Sequence, residues 1–238
     1  MPYPIVALVG YTNAGKSTLF NRLTRSDVFV EDMLFATLDP TMRGLELPSG
    51  RKVILSDTVG FVSDLPHDLV AAFRATLEEV LEADLIVHVR DVSSPETDAQ
   101  KQDVLEVLKE LGLQQVIDGA ELVEALNKAD LLNEEDALAV RELSNRTENT
   151  MVVSALTGAN CQDLLQLIEN RLTAEMPVFQ VLVPYANGKA LAGLYQQGEV
   201  LNRIEGDDGI SIEIRLDETR VGKFDDWCQK NGLDLYSV

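Results

Sequence analysis

Cysteine is nearly absent from this 238-residue chain. Its two residues, Cys161 and Cys228, lie far apart without a C-x-x-C spacing, which points to neither a disulfide framework nor a zinc site. Aromatic residues are scarce at 5%, and His67 and His88 are the only histidines. No apolar stretch approaches the roughly 18 residues that a bilayer span needs, and Met1-Pro2-Tyr3-Pro4 lacks the basic and apolar regions of a secretory leader. These absences predict a soluble cytoplasmic protein with no membrane segment. Basic side chains are outnumbered 20 to 40, for a net charge of −20, and the deficit is general: residues 1–177 hold 14 basic against 30 acidic, residues 178–238 hold 6 against 10. Phosphate-driven binding to nucleic acid requires clustered Lys and Arg, so any RNA contact must be local or come from a part that this sequence does not include.

What is present is a repeating alternation. Short apolar runs at Ile5–Val9, Leu45–Leu47, Lys52–Ser56, Leu85–Arg90, Leu122–Asn127 and Met151–Ser154 predict strands. Amphipathic stretches between them predict helices at Lys16–Leu23, Asp68–Leu81, Thr97–Leu111, Glu134–Ser144 and Cys161–Leu172. Strands alternating with helices predict an α/β fold with a mostly parallel sheet covered on both faces. A boundary falls at Met176–Pro177, giving domains over residues 1–176 and 177–238. The second part predicts a small α+β domain of order β-α-β-β-α: Val178–Val183, a helix opened by Asn187 and Gly188, a hairpin of Val200–Ile204 and Gly209–Arg215, and a closing helix Glu218–Lys230 carrying Phe224 and Trp227 as core residues.

Gly10-Tyr11-Thr12-Asn13-Ala14-Gly15-Lys16-Ser17, followed by Thr18, matches G-x-x-x-x-G-K-[ST] between a predicted strand and a predicted helix. That context makes the pattern a phosphate-binding loop. Glycines let the backbone close around a pyrophosphate, loop N–H groups and the helix N-terminus aim positive charge at it, Lys16 reaches the outer phosphates, and the Ser17 hydroxyl ligates Mg²⁺. Asp57-Thr58-Val59-Gly60 follows another predicted strand. Asp57 can hold the Mg²⁺ shell and the Gly60 N–H can reach a γ-phosphate.

Asn127-Lys128-Ala129-Asp130 selects the base. A carboxylate at Asp130 accepts from guanine N1–H and the 2-amino group together, a donor pair that adenine lacks. Asn127 braces the loop, and Ser154-Ala155-Leu156 can supply the Ala155 N–H to guanine O6. A metabolic kinase or ATPase would share the first loop but not this tetrapeptide.

These residues resemble the GTPase and C-terminal regions of the HflX family of ribosome-associated GTPases. The resemblance is carried by GYTNAGKSTLFN from Gly10, LFATLDPTMR over Leu34–Arg43, DTVGFV over Asp57–Val62, LPHDLVAAF over Leu65–Phe73, and NKAD. It covers nearly the whole chain, less sharply after residue 177. It implies a P-loop GTPase fold, binding of the large ribosomal subunit, and nucleotide-dependent splitting or rescue of idle or stalled ribosomes. Separately, the chain is expected to be a monomer. Family members carry an N-terminal domain and helical linker before the first GTPase strand, so the resemblance also implies that such a domain is missing here. An alternative stays open: a GTP-gated adaptor acting on a non-ribosomal protein complex.

Further candidates lie in two segments suited to nucleotide-dependent ordering, Val30–Arg43 and Asp57–Leu69. In the first, Phe35, Ala36, Thr37, Leu38 and Asp39 are candidate nucleotide contacts, with Thr37 as second Mg²⁺ hydroxyl and catalytic candidate beside Lys16 and Gly60; Thr41 is its rival. In the second, Phe61 stands where many GTPases have a water-orienting glutamine. It is either a packing residue or one that swings away when a partner supplies catalysis. His67 is a capping or surface residue with an alternative catalytic role in the ribosome-bound state, and His88 is a structural strand residue.

An aromatic ring offers water no donor or acceptor, so Phe61→Ala should change basal GTP turnover by less than about tenfold, under roughly 1.4 kcal/mol of barrier. Single-turnover hydrolysis measures this. A hundredfold loss at unchanged nucleotide affinity and thermal unfolding would mean that the ring positions a catalytic neighbour.

Overall fold

Six consecutive residues, Leu85 to Arg90, are buried, which a strand achieves only when both faces of its sheet are covered. The computed structural model that shows this describes residues 3–24, 42–58, 60, 78–119 and 121–237. It divides into two compact units, Met1–Leu172 and Thr173–Val238.

The first unit runs β1 (Ile5–Val9), α1 (Lys16–Thr24), β2 (Met42–Glu46), β3 (Lys52–Asp57), α2 (Glu78–Leu81), β4 (Leu85–Asp91), α3 (Thr97–Glu110), α4 (Gln114–Asp118), β5 (Leu122–Asn127), α5 (Glu134–Arg146), β6 (Thr150–Val152) and α6 (Cys161–Leu172). The sheet order is β2-β3-β1-β4-β5-β6. All neighbouring pairs are parallel except β2 with β3. The chain steps from β1 outward to β3, then crosses back to β4 on the other side of β1. The C-terminal end of β1 is therefore the reversal point, where open α/β sheets bind ligands.

Alternation along the strands divides the core in two. Val6, Leu8, Leu55 and Val87 face Leu19 and Phe20 of α1 and Leu164 and Ile168 of α6. Ala7, Val9 and Ile86 face Val104 and Leu108 of α3. The predicted helix Asp68–Leu81 lies largely outside the described residues; only α2 is described. α4 was not expected from the sequence, being five residues long, too short for periodicity to show.

On the α3 side the sheet carries buried charge. Arg90, with a side chain 6% exposed, donates to Glu124 Oε2 at 2.9 Å and Asp98 Oδ1 at 2.7 Å, and Lys101 of α3 pairs with Glu124 Oε1. Burial works to raise the Glu124 pKa, but the hydrogen bonds and charges of Lys101 and Arg90 outweigh it and hold the carboxyl below its ordinary value. His88 sits between Val9 and Glu124 in the strand register. It is buried, as expected of a structural strand residue, and its Nδ1 has no hydrogen-bond partner among the described residues. On the opposite side Glu169 of α6, itself buried, accepts from the Ser49 N–H at 3.2 Å and from its hydroxyl, fastening the β2–β3 turn.

The second unit runs β7 (Val178–Val183), α7 (Gly188–Leu194), β8 (Glu199–Glu205), β9 (Ile210–Arg215), α8 (Val221–Lys230) and β10 (Leu235–Ser237). Its antiparallel sheet has the order β10-β7-β9-β8. The predicted β-α-β-β-α order thus lacks the final strand, whose three residues are too few to alternate visibly. Asn187 caps α7, its side chain accepting from Ala190 N–H at 3.2 Å. Phe224 is buried and stacks on Trp227 with centroids 6.1 Å apart. A Cβ at Gly193 would lie 2.7 Å from Trp227 Cζ2, so the indole lies against bare backbone of α7.

Burial lowers the His88 pKa from 6.5 to about 3, with Glu124 opposing and Arg90, Lys101 and Lys16 reinforcing. The unfolded chain therefore takes up the proton first. This contribution to stability is complete above pH 6.5 and is lost as pH falls toward 3, at about 1.4 kcal/mol per pH unit. The window that Glu124 governs opens only below its ordinary value of 4.5. Urea unfolding of wild type and His88→Leu at pH 6.5 and pH 5 should show the wild type losing about 2 kcal/mol more than the variant. Equal losses would refute the assignment.

Candidate functional site

The loop between β1 and α1 can only be built from glycine at its two ends. Gly10 has φ +153° and a Cβ there would meet the Val89 carbonyl oxygen at 2.3 Å; Gly15 has φ +95° and a Cβ would meet Asn127 Nδ2 at 2.3 Å. Within this turn the Lys16 ammonium donates to the carbonyls of Gly10 at 3.0 Å and Tyr11 at 3.2 Å. Burial lowers the Lys16 pKa from its ordinary value, and the Asp57 carboxylate opposes that shift. Asn13, Gly15, Lys16, Ser17, Thr18 and Lys128 line a cavity of about 480 Å³ over the loop.

Asp57 and Gly60 arrive from the end of β3. Asp57 Oδ1 is buried and has no hydrogen-bond partner among the described residues. A Cβ on Gly60 would lie 3.0 Å from Lys16 Nζ, so its backbone stands beside that ammonium. An orphaned carboxylate oxygen together with the exposed Ser17 hydroxyl fits a hydrated Mg²⁺ that takes its remaining ligands from water and phosphate. Among the described residues no group of three or more His, Cys, Asp or Glu could hold a metal alone. Thr58 differs from its expected place among nucleotide contacts: it is buried, and its hydroxyl donates to the Leu8 carbonyl at 2.6 Å, stapling β3 to β1.

The base-side loops converge on Asn127, which is 2% exposed. Its Nδ2 donates to the Ala14 carbonyl at 2.8 Å and its Oδ1 accepts the Ala155 N–H at 2.9 Å. One amide thereby ties the end of β5 to the phosphate loop and to the loop after β6. The Ala155 N–H, expected to serve guanine O6, is thus already committed to Asn127. Lys128 is left-handed, at φ +66°. Its ammonium donates to Asp91 Oδ2 at 2.6 Å, while Asp91 Oδ1 accepts from the Ser93 N–H and hydroxyl. Burial works to raise the Asp91 pKa, but these hydrogen bonds and the Lys128 charge hold it below its ordinary value. Ala129 N–H donates to the Val153 carbonyl at 3.2 Å, and the Ser154 hydroxyl donates to Asp130 Oδ1, leaving Asp130 exposed with no donor to its second oxygen among the described residues.

Comparison with known proteins gives the family. A family model described as 50S ribosome-binding GTPase matches residues 5–128, and one described as HflX C-terminal domain matches residues 139–228. The chain belongs to the 50S ribosome-binding GTPases, in their HflX family. It is 43% identical over 235 residues to a GTPase HflX of Magnetococcus marinus, covering 99% of this chain and 53% of that protein. It is 47% identical over 213 residues to a GTPase HflX of Caldanaerobacter subterraneus, covering 90% and 47%. The chain therefore spans about half the length of the curated HflX relatives it matches. Its fold is similar to a crystal structure of a GTP-binding protein from Sulfolobus solfataricus in complex with GDP, with TM-score 0.54, 29% identity, and coverage of 72% of this chain and 53% of that one.

Of the residues singled out from the sequence, those of the phosphate loop, Asp57, Gly60, Asn127, Asp130 and Ser154 come together at one end of the sheet. Phe35, Ala36, Thr37, Leu38, Asp39, Thr41, Val59, Phe61 and His67 lie outside the described residues. The sequence reading missed Asp91 and Arg22. Asp91 carries a signal, standing directly opposite Asn127 in the strand register. Arg22 carries none, because its partners are backbone carbonyls 133 and 134 positions away.

Asn127→Ala leaves the Ala14 carbonyl and the Ala155 N–H unpaired, at about 1–3 kcal/mol for each buried group. GDP and GTP affinities, measured by calorimetry, should fall together by at least about thirtyfold. Unchanged affinities would show that the two loops are held independently of this amide.

Proposed function

We propose that the chain binds GTP and GDP with Mg²⁺, hydrolyses GTP slowly by itself, and uses this cycle to govern contact with the large ribosomal subunit and the splitting or rescue of idle or stalled ribosomes. The observation that supports the nucleotide part is the Asn127 bridge, which ties the loop holding Ala14 and the loop after β6 to the strand end that leads to the exposed Asp130 carboxylate. HflX membership supports the ribosomal part.

In the proposed reaction the loop N–H groups and Lys16 hold the β- and γ-phosphates, and water attacks the γ-phosphorus in line. The Lys16 ammonium exchanges its loop carbonyls for phosphate oxygens and stabilises the spreading negative charge. Ser17 and Asp57, with Thr37, would hold Mg²⁺, which when bound neutralises phosphate oxygens. Asp130 accepts the guanine N1–H and 2-amino protons. Ordering of the segments around Thr37 and Gly60 by the γ-phosphate makes the ribosome-facing surface depend on the nucleotide.

Asp130→Asn should weaken GTP binding and let xanthosine triphosphate compete, because an amide donates to the extra carbonyl of xanthine. Unchanged GTP affinity would remove Asp130 from base reading. For the ribosomal part, hydrolysis and co-sedimentation are measured with and without purified large subunits. The expected result is binding with the triphosphate and faster turnover. GTP binding with neither effect would favour a non-ribosomal partner of this chain.

A further inference from the structure

Arg22 lies on α1, four residues beyond Thr18, and its side chain is exposed. Its guanidinium nevertheless has a defined place. Nε donates to the Ala155 carbonyl at 3.1 Å and a terminal nitrogen donates to the Leu156 carbonyl. The loop beside it turns at Gly158, whose φ of +89° favours glycine. A forked cation thus takes two successive carbonyls of the loop that carries Ser154.

Each carbonyl belongs to a rigid peptide plane whose N–H points the opposite way, because the peptides are trans. The plane of Leu156 and Thr157 is held twice, by Arg22 and by the Thr157 N–H donating to Ser154 Oγ at 3.1 Å. The plane of Ala155 and Leu156 is held by Arg22 through its carbonyl, and no hydrogen bond from its N–H is found among the described residues. Since the Ala155 N–H is committed to Asn127, the neighbouring Leu156 N–H is a donor this loop has to spare among the described residues. The Ser154–Asp130 hydrogen bond keeps the loop beside the carboxylate that would read the other edge of the base.

We infer that Arg22 is a positioning residue for base recognition: its fork on the Ala155 and Leu156 carbonyls aims the Leu156 N–H at the six-position oxygen of a guanine held by Asp130. The inference rests on the base-reading role proposed above. It makes the helix that follows the phosphate loop the support of the base-reading loop, so the two halves of the nucleotide site share one element.

The test compares GDP, 6-thio-GDP and IDP binding by the whole chain. 6-Thio-GDP changes only the six-position acceptor, from oxygen to the weaker sulfur, and IDP lacks only the 2-amino group that Asp130 reads. In Arg22→Ala the preference for GDP over 6-thio-GDP should shrink by about fivefold, while the preference for GDP over IDP stays within about twofold and thermal unfolding is unchanged. Arg22→Lys keeps the charge but not the fork, and should give a smaller narrowing of the six-position preference with the IDP ratio again unchanged. It carries the test if the alanine variant does not fold. Equal narrowing of both preferences, or of neither, would overturn the inference. If wild type prefers GDP over neither analogue, the base-reading role itself fails, and the inference fails with it.

Discussion

The Asn127 carboxamide is the constraint on which the site depends. It is a single planar group with one donor and one acceptor side, and it uses the first on the Ala14 carbonyl and the second on the Ala155 N–H. Three loops distant in sequence are thereby fixed with respect to each other. Gly15 follows from this: the amide stands where a Cβ would be, so the loop can approach Asn127 only with hydrogen at that position. The left-handed Lys128 follows as well, because the chain must turn at once for Asp130 to reach the Ser154 hydroxyl while the Lys128 ammonium folds back onto Asp91.

Behind this frame the sheet holds charge where apolar packing would be simpler. Glu124 lies between Arg90 and Lys101, and such a cluster contributes little net stability compared with well-packed apolar residues, although removing one member leaves the others buried and unpaired. Its effect here is geometric. Arg90 also reaches Asp98 and Thr97 at the start of α3, so the helix is held at a fixed register on β4 and β5, directly beneath the strand ends that carry Asp91 and Asn127.

Much of this was legible in the sequence because it is periodic or local. β1, β5, α6 and β7 have the bounds expected from their apolar patterns, and each nucleotide loop follows a strand whose apolar run announces it. What was not legible depends on contacts without local signal. Thr58 sits in a motif where a nucleotide contact is the natural expectation, yet its hydroxyl finds the Leu8 carbonyl, a choice set by the parallel pairing of β1 with β3. Arg22 reads as an ordinary surface arginine until the β6–α6 loop is folded over it. The Ala155 N–H looked free because a backbone donor shows no partner in a sequence. β10 is a strand only because β7 offers its edge, since three residues have no pattern of their own.

The stacking of Trp227 on Phe224, against the backbone of Gly193, has a spectroscopic consequence. It is the only tryptophan in the chain, and it belongs to the core of the second unit. Intrinsic fluorescence excited at the indole band therefore reports on the packing, and so on the melting, of the small unit. A titration followed at that wavelength would measure the integrity of one unit, whereas a fluorescent nucleotide would measure the occupancy of the other.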